Sequence, residues 1–216
     1  MKKTKEHQKL PYDPEKMIRQ EGERLRALEH DPQALQAFWE KRYRDTYRTL
    51  LADRSEFGRY GVVAEYLLRL LPGGSVLDTG CGPGILAGLL KGSSLHYTGI
   101  DISEEAVALA RKNHPELQDR FHAVALDQFE PGERFDALTA IEILYYLDAG
   151  AFFSHCSRLL KPGGHLIVTI YDFEKGRELL PEVEKRLVRP FRADVYNAEK
   201  GLRWHVVAGK FGNDER

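Results

Sequence analysis

Only two cysteines occur in 216 residues, Cys81 and Cys156, and they form no Cys-x-x-Cys pair. A disulfide framework and a thiolate zinc site are therefore excluded, and reduced thiols in the cytoplasm fit best. Long apolar runs are missing too. No stretch approaches the roughly 18 uninterrupted apolar residues of a membrane span, and the basic start MKKTKEHQKL leads into no signal-peptide core. Nor is there an excess of one charge: 32 Lys and Arg face 33 Asp and Glu, a formal net charge of -1. That balance argues against nucleic acid or an anionic membrane as a partner held by the overall field. Eight histidines are present, but no His-x-x-x-His spacing. His114, His122, His155 and His165 read as satisfied surface histidines, and no metal site is expected.

What remains is an ordinary soluble composition, 42% hydrophobic and 30% charged, in one domain able to bury about 70% of its unfolded surface. Residues 1–71 read as a helical extension. Asp13-Pro14 and Asp31-Pro32 each pair an N-cap with a proline at the first helical position. Leu35, Trp39, Tyr43, Tyr47 and Leu50 then recur at helical spacing. A further helix over Phe57–Leu71 is stopped by Pro72-Gly73-Gly74.

Residues 72–216 read as a core of alternating strands and helices. Strands are expected at Ser75–Asp78, His96–Asp101, Phe121–Leu126, Phe135–Ile141 and His165–Ile170. Between them lie helices over Ile85–Lys91, from Ser103 to His114, and from Asp148 to Leu160. After a polar helix over Lys175–Leu187, Arg192–Asn197 and Leu202–Phe211 flank a glycine-containing turn and form an antiparallel hairpin. The fold class is α/β: a Rossmann-like doubly wound sheet of five parallel strands closed by a C-terminal hairpin, seven strands in all.

The turn after the first strand, Asp78-Thr79-Gly80-Cys81-Gly82-Pro83-Gly84, lies where open α/β sheets bind ligands. A dinucleotide fingerprint reads Gly-x-Gly-x-x-Gly; here the spacing is Gly-x-Gly-x-Gly, and Pro83 removes an amide that a pyrophosphate would use. From Leu77 to Gly84 this segment resembles the first motif of the class I S-adenosylmethionine-dependent methyltransferases. The resemblance continues in order through Gly99-Ile100-Asp101-Ile102-Ser103, Ala125-Leu126-Asp127-Gln128-Phe129, Phe135-Asp136-Ala137-Leu138, Glu142-Ile143-Leu144-Tyr145-Tyr146-Leu147 and Leu160-Lys161-Pro162-Gly163-Gly164.

The resemblance implies S-adenosyl-L-methionine as cofactor and a small-molecule methyl acceptor. Asp101 would take both ribose hydroxyls through charge-assisted bonds. Asp127 would receive the adenine amino group, with Ile102 and Leu126 as walls, although an ordinary loop aspartate is a rival reading. Asp78, Gly80, Cys81, Gly82 and Gly84 would hold the amino-acid end, and Ile141 would border the cofactor. Glu142, Tyr145 and Tyr146 are the candidate catalytic residues, against the alternatives of a braced loop and plain packing. The stripe Trp39, Tyr43, Tyr47 is open between domain packing and what the resemblance implies for residues 1–71, a lid over the cofactor that borders the acceptor pocket.

Absences favour a small acceptor at oxygen or nitrogen. No Asp/Asn-Pro-Pro-Tyr/Phe follows the fourth strand, no Pro-Cys pair occurs, and the first seventy residues hold fifteen basic against twelve acidic side chains. An RNA or protein methyltransferase, and a non-catalytic cofactor-binding subunit, are the alternatives. Oligomeric state is not legible.

Overall fold

The computed structural model describes residues 13–28, 31–47 and 57–212. Helices α1 (Pro14–Leu28) and α2 (Pro32–Arg42) come first, then α3 (Gly58–Leu70). Asp31 caps α2 by accepting from the Ala34 amide at 2.9 Å, and Asp13 accepts from that of Lys16 at 3.1 Å. Each carboxylate satisfies an amide that the helix itself leaves without a partner. The helix expected to continue through Tyr47 stops at Arg42 and passes into a π turn over Tyr43–Tyr47; Leu50 lies outside the described residues.

One seven-stranded sheet follows, ordered β3-β2-β1-β4-β5-β7-β6. It comprises β1 (Ser75–Thr79), β2 (His96–Asp101), β3 (Phe121–Ala123), β4 (Phe135–Ile141), β5 (Leu160–Tyr171), β6 (Leu187–Asn197) and β7 (Leu202–Phe211). The first five run parallel, and β7 pairs antiparallel with both β5 and β6. This is the expected doubly wound sheet with its closing hairpin. Helices α4 (Ile85–Leu89), α5 (Glu104–Asn113), α6 (Ala149–Leu159) and α7 (Glu174–Glu184) connect and flank the strands. Ser103 and Asp148 cap α5 and α6 as their sequence positions predict.

Strand ends depart from expectation where side chains or ligand-facing loops take over. The third strand ends at Ala123 instead of Leu126, because the chain leaves the sheet after the Val124 amide bonds Asp101 O. The fifth starts at Leu160 instead of His165: Leu160 pairs with Phe135, the register shifts, and His165 resumes against Ala137. Lys161 spans that irregularity with a 2.9 Å ion pair to Asp136. The strand expected from Arg192 begins at Leu187, with Arg189 in the left-handed region (φ 48°) and a register shift between Val188 and Phe191. The polar helix spans Glu174–Glu184 and accommodates Pro181 within it.

Two apolar clusters fill the layers. One centres on Leu138, Leu144, Phe152, Phe153 and Ile170; the other holds Val63, Leu67, Val76, Leu86 and Val206. Strand order reverses between β1 and β4, and an open α/β sheet leaves its crevice at such a point.

Candidate active site

A cavity of about 500 Å³ occupies that crevice. Its floor is the carboxyl ends of four strands, represented by Thr79, Asp101, Ile141 and Tyr171, and its roof includes Ile18, Leu25, Leu35 and Trp39 from α1 and α2.

The glycine turn forms one wall. Gly80 has φ 68° and faces the cavity; a Cβ built on it would stand 2.6 Å from Ile143 Cγ2, so any other residue would be strained and would displace Ile143. Gly82 also lines the cavity, and its amide donates to Asp101 Oδ2 at 3.0 Å. Gly84 does not line it. With φ 80°, it is the left-handed N-cap of α4, and a Cβ there would meet the His114 ring at 2.7 Å. Its glycine is required by helix packing.

Asp101 stands at the tip of β2, half-buried, its second oxygen accepting from the Ser103 amide at 2.9 Å. Burial, opposed by those two amides and reinforced by the Glu40 charge, pushes its carboxyl up to about 6. Glu40 reaches over from α2. Its carboxylate accepts from the Glu105 amide and the Ser103 hydroxyl, each at 3.2 Å, and from the Glu104 amide. A roof helix therefore caps the helix that follows Asp101, where a negative charge suits the helix N-terminus. Ile102, Leu126 and Asp127 complete this end of the cavity.

Asp78 and Cys81, both expected at the ligand, do not line the cavity. Asp78 is 2% exposed and accepts from Tyr97 Oη at 2.7 Å and Thr139 Oγ1 at 2.6 Å, tying β2 and β4 together beneath the turn. Burial pushes its carboxyl up to about 6 despite those bonds. The Cys81 thiol packs on Gly99, and burial together with Asp101 and Asp78 drives its pKa well up, so it stays protonated.

Arg59 enters from α3 on the β7 side of the cavity. It is 4% exposed, and its guanidinium lies 4.7 Å from the Trp204 ring centroid and 5.1 Å from that of Tyr60. It lines the cavity with Thr79 and Gly80 and was not among the sequence candidates. A signal existed: Arg59, Val63 and Leu67 share one buried helical face at i, i+4 spacing, so a charge interrupts an apolar stripe.

Glu142, Tyr145 and Tyr146 all line the cavity. Glu142 has φ 61°, a conformation disfavoured for a residue with a Cβ. Thr169 holds it twice, through its carbonyl, which receives the Glu142 amide at 3.2 Å, and through its hydroxyl, which donates to Oε1 at 2.7 Å. Tyr145 Oη donates to Oε2. Tyr146 stands edge-on to Trp39, with ring centroids 5.0 Å apart, and Tyr43 also faces the cavity. His114, His122, His155 and His165, expected on the surface, are each half-buried, and His205 is buried. His155 is half-buried and lines the cavity, because the α6 face carrying Ala151 and Phe152 turns toward it. His205 is 5% exposed and bridges to Asp194 at 2.7 Å.

Comparison with known proteins gives the family. Residues 51–208 match the model of a family described as "Methyltransferase domain". The ubiquinone biosynthesis O-methyltransferase of Xylella fastidiosa is 35% identical over 167 residues, covering 67% of this chain and 68% of that one. Its counterpart from Bradyrhizobium sp. is 30% identical over 142 residues, and the chain spans about half the length of the first such relatives. Among solved structures, Burkholderia thailandensis 1,6-didemethyltoxoflavin-N1-methyltransferase, with bound 1,6-didemethyltoxoflavin and S-adenosylhomocysteine, aligns with TM-score 0.65 at 19% identity over 83% of this chain and 88% of that one. Magnesium protoporphyrin IX methyltransferase from Synechocystis PCC 6803 aligns with TM-score 0.63 at 19% identity, over 82% and 98%. Likenesses at that identity speak for the fold; the family model covers well over half the sequence, and by it this chain belongs to the methyltransferase-domain family.

Proposed function

We propose that the protein transfers a methyl group from S-adenosyl-L-methionine to an oxygen or nitrogen of a small molecule. One observation carries the reading: one cavity at the strand switch point is lined by a half-buried carboxylate at the tip of β2, a buried guanidinium that stacks on Trp204 of β7, and the glycine turn after β1, a strand that lies between those two in the sheet. That charge order suits adenosine joined to an amino acid. Asp101 takes the ribose hydroxyls, Ile102 and Leu126 flank the adenine with Asp127 at its amino group, and Arg59 pairs with the carboxylate. Asp78 and Cys81 act from behind, by fixing the turn.

When bound, the cofactor supplies a methyl group already activated on a sulfonium, so the protein's work is alignment and exclusion of water. Positioning of this kind is worth about 7–11 kcal/mol in well-oriented systems. The roof from α1 and α2 excludes water. Glu142 and Tyr145 hold the proton path: Tyr145 Oη accepts the acceptor's proton while giving its own to Glu142 Oε2. Tyr146 and Trp39 present aromatic faces to the acceptor.

The mostly apolar cavity wall and the near-neutral chain favour a small acceptor over RNA or protein. Among the described residues no helix is long and apolar enough to cross a membrane, and the two buried free thiols suit the cytoplasm. Calorimetry decides the cofactor: S-adenosylhomocysteine binds and NAD does not. The opposite result removes the proposal.

A further inference from the structure

A second recess, of about 450 Å³, opens between α7 and the β6–β7 hairpin. Side chains alternate between the two faces of a strand, and β7 divides accordingly. Leu202 and Trp204 line the first cavity, while Arg203 and His205 line the recess. The end of β5 divides in the same way, with Tyr171 on the cavity and Asp172 on the recess. The Asp172 amide bonds Arg203 O at 2.9 Å, so the two strands meet where the recess opens.

Three arginines line it. Arg177 of α7 donates to Asp172 Oδ1 at 3.1 Å, and Arg192 of β6 donates to Glu184 Oε1 at 3.2 Å, so a carboxylate holds each in place. Arg203 is exposed, and its side chain makes no hydrogen bond or ion pair among the described residues. His205 is 5% exposed and fixed between two carboxylates, Nδ1 lying 2.7 Å from Asp194 Oδ1 and Nε2 3.5 Å from Asp172 Oδ1. The hydrogen bond with His205, with the charges of Arg192 and Arg203 behind it, holds the Asp194 carboxyl below its ordinary value, so those cations act on one point. Asp172 and Glu184 each answer one arginine of the lining, and the positive charge left over sits on Arg203.

A guanidinium is a rigid fork of donors whose geometry matches an oxyanion. A carboxylate spends both its oxygens on one fork. A phosphate group has oxygens to spare and can meet neighbouring guanidiniums as well. We infer that the recess is a second ligand site, which takes a phosphate group in the fork of Arg203 with Arg177 and Arg192 at its flanks. Tyr196 is the cross-strand partner of Arg203 and is 57% exposed, so a ring carried on a phosphomonoester finds an aromatic neighbour beside the anion. The site lies outside the cavity assigned to methyl transfer and does not rest on that reading.

Calorimetric titration of the full chain at low salt tests it, with inorganic phosphate, phenyl phosphate and acetate as probes. Inorganic phosphate binds at one site with a Kd of about 1 mM or tighter. Arg203→Ala weakens it at least tenfold, and Arg203→Lys, which keeps the charge and loses the fork, at least threefold. Arg177→Ala and Arg192→Ala each cost at least threefold, which keeps the test decisive should an Arg203 variant fail to fold. Phenyl phosphate bound as tightly as phosphate, or more tightly, identifies the natural ligand as a phosphomonoester; weaker binding identifies the free ion. Absence of phosphate binding overturns the inference, and so does equal binding by Arg203→Ala. Acetate bound as tightly as phosphate overturns the choice of anion. Displacement of phosphate by S-adenosylhomocysteine would put the anion in the first cavity and overturn the second site.

Discussion

Cofactor affinity should fall with acid, because Asp101, the carboxylate proposed to receive the ribose, is poised near pH 6. Asp101 accepts from the Gly82 and Ser103 amides, and burial nevertheless raises its carboxyl to about 6. Only the ionised form accepts from both ribose hydroxyls. The sign follows: protonation competes with the ligand, so binding is full above pH 7 and weakens as pH falls through 6. With ionised Asp101 as the binding form, the factor at pH 5 is one plus ten, a loss of roughly tenfold or about 1.4 kcal/mol. Calorimetric titration of S-adenosylhomocysteine at pH 7.5, 6 and 5 measures it. Asp101→Ala weakens binding at least tenfold at pH 7.5 and flattens the profile below it. Glu40→Gln removes a charge that raises Asp101, so the midpoint moves to lower pH. A wild-type profile that is flat between pH 7.5 and 5, or one that Asp101→Ala leaves unchanged, refutes the reasoning.

Three further outcomes follow from the same geometry. Arg59→Leu weakens S-adenosylhomocysteine at least tenfold but leaves 5′-methylthioadenosine, which has no amino-acid carboxylate, within twofold; equal losses by calorimetry would take Arg59 off the carboxylate. Glu142→Gln and Tyr145→Phe each lower kcat by about 10²–10⁴-fold with S-adenosylhomocysteine affinity within threefold, and loss of that affinity instead would make them structural. Asp78, raised to about 6 from about 3.9 in the unfolded chain, adds stability that is full below pH 4 and lost as pH rises through 6, on the order of 2–3 kcal/mol at most. In Asp78→Asn, denaturant midpoints of the unliganded protein should therefore decline less between pH 5 and 7 than in the wild type; an identical decline would contradict the assignment.

Local chemistry made part of this legible in sequence. The glycine turn announces itself because Gly80 and Gly84 need positive φ and bare flanks. Asp31, Ser103 and Asp148 cap helices through side chains only three residues from the amides they satisfy. Asp101 follows from its place at a strand tip. Contacts between distant segments were silent. Glu40 meets Ser103 across 63 positions and Glu21 meets Tyr146 across 125, and no spacing rule connects them. The recoverable clue was the charge within an apolar helical stripe, present at both Arg59 and Glu21. Asp78 and Cys81 show the converse: a residue inside the motif can serve the sheet beneath the turn and have no surface on the cavity.

Incubation with S-adenosylmethionine labelled at the methyl group, in parallel with phenolic and amine small molecules, RNA and peptides, tests the central claim most directly. Label recovered on the oxygen or nitrogen of a small molecule, and lost in Asp101→Ala, is the result predicted. Label found only in RNA or peptide, or transferred to no acceptor while a partner protein binds tightly, would contradict it.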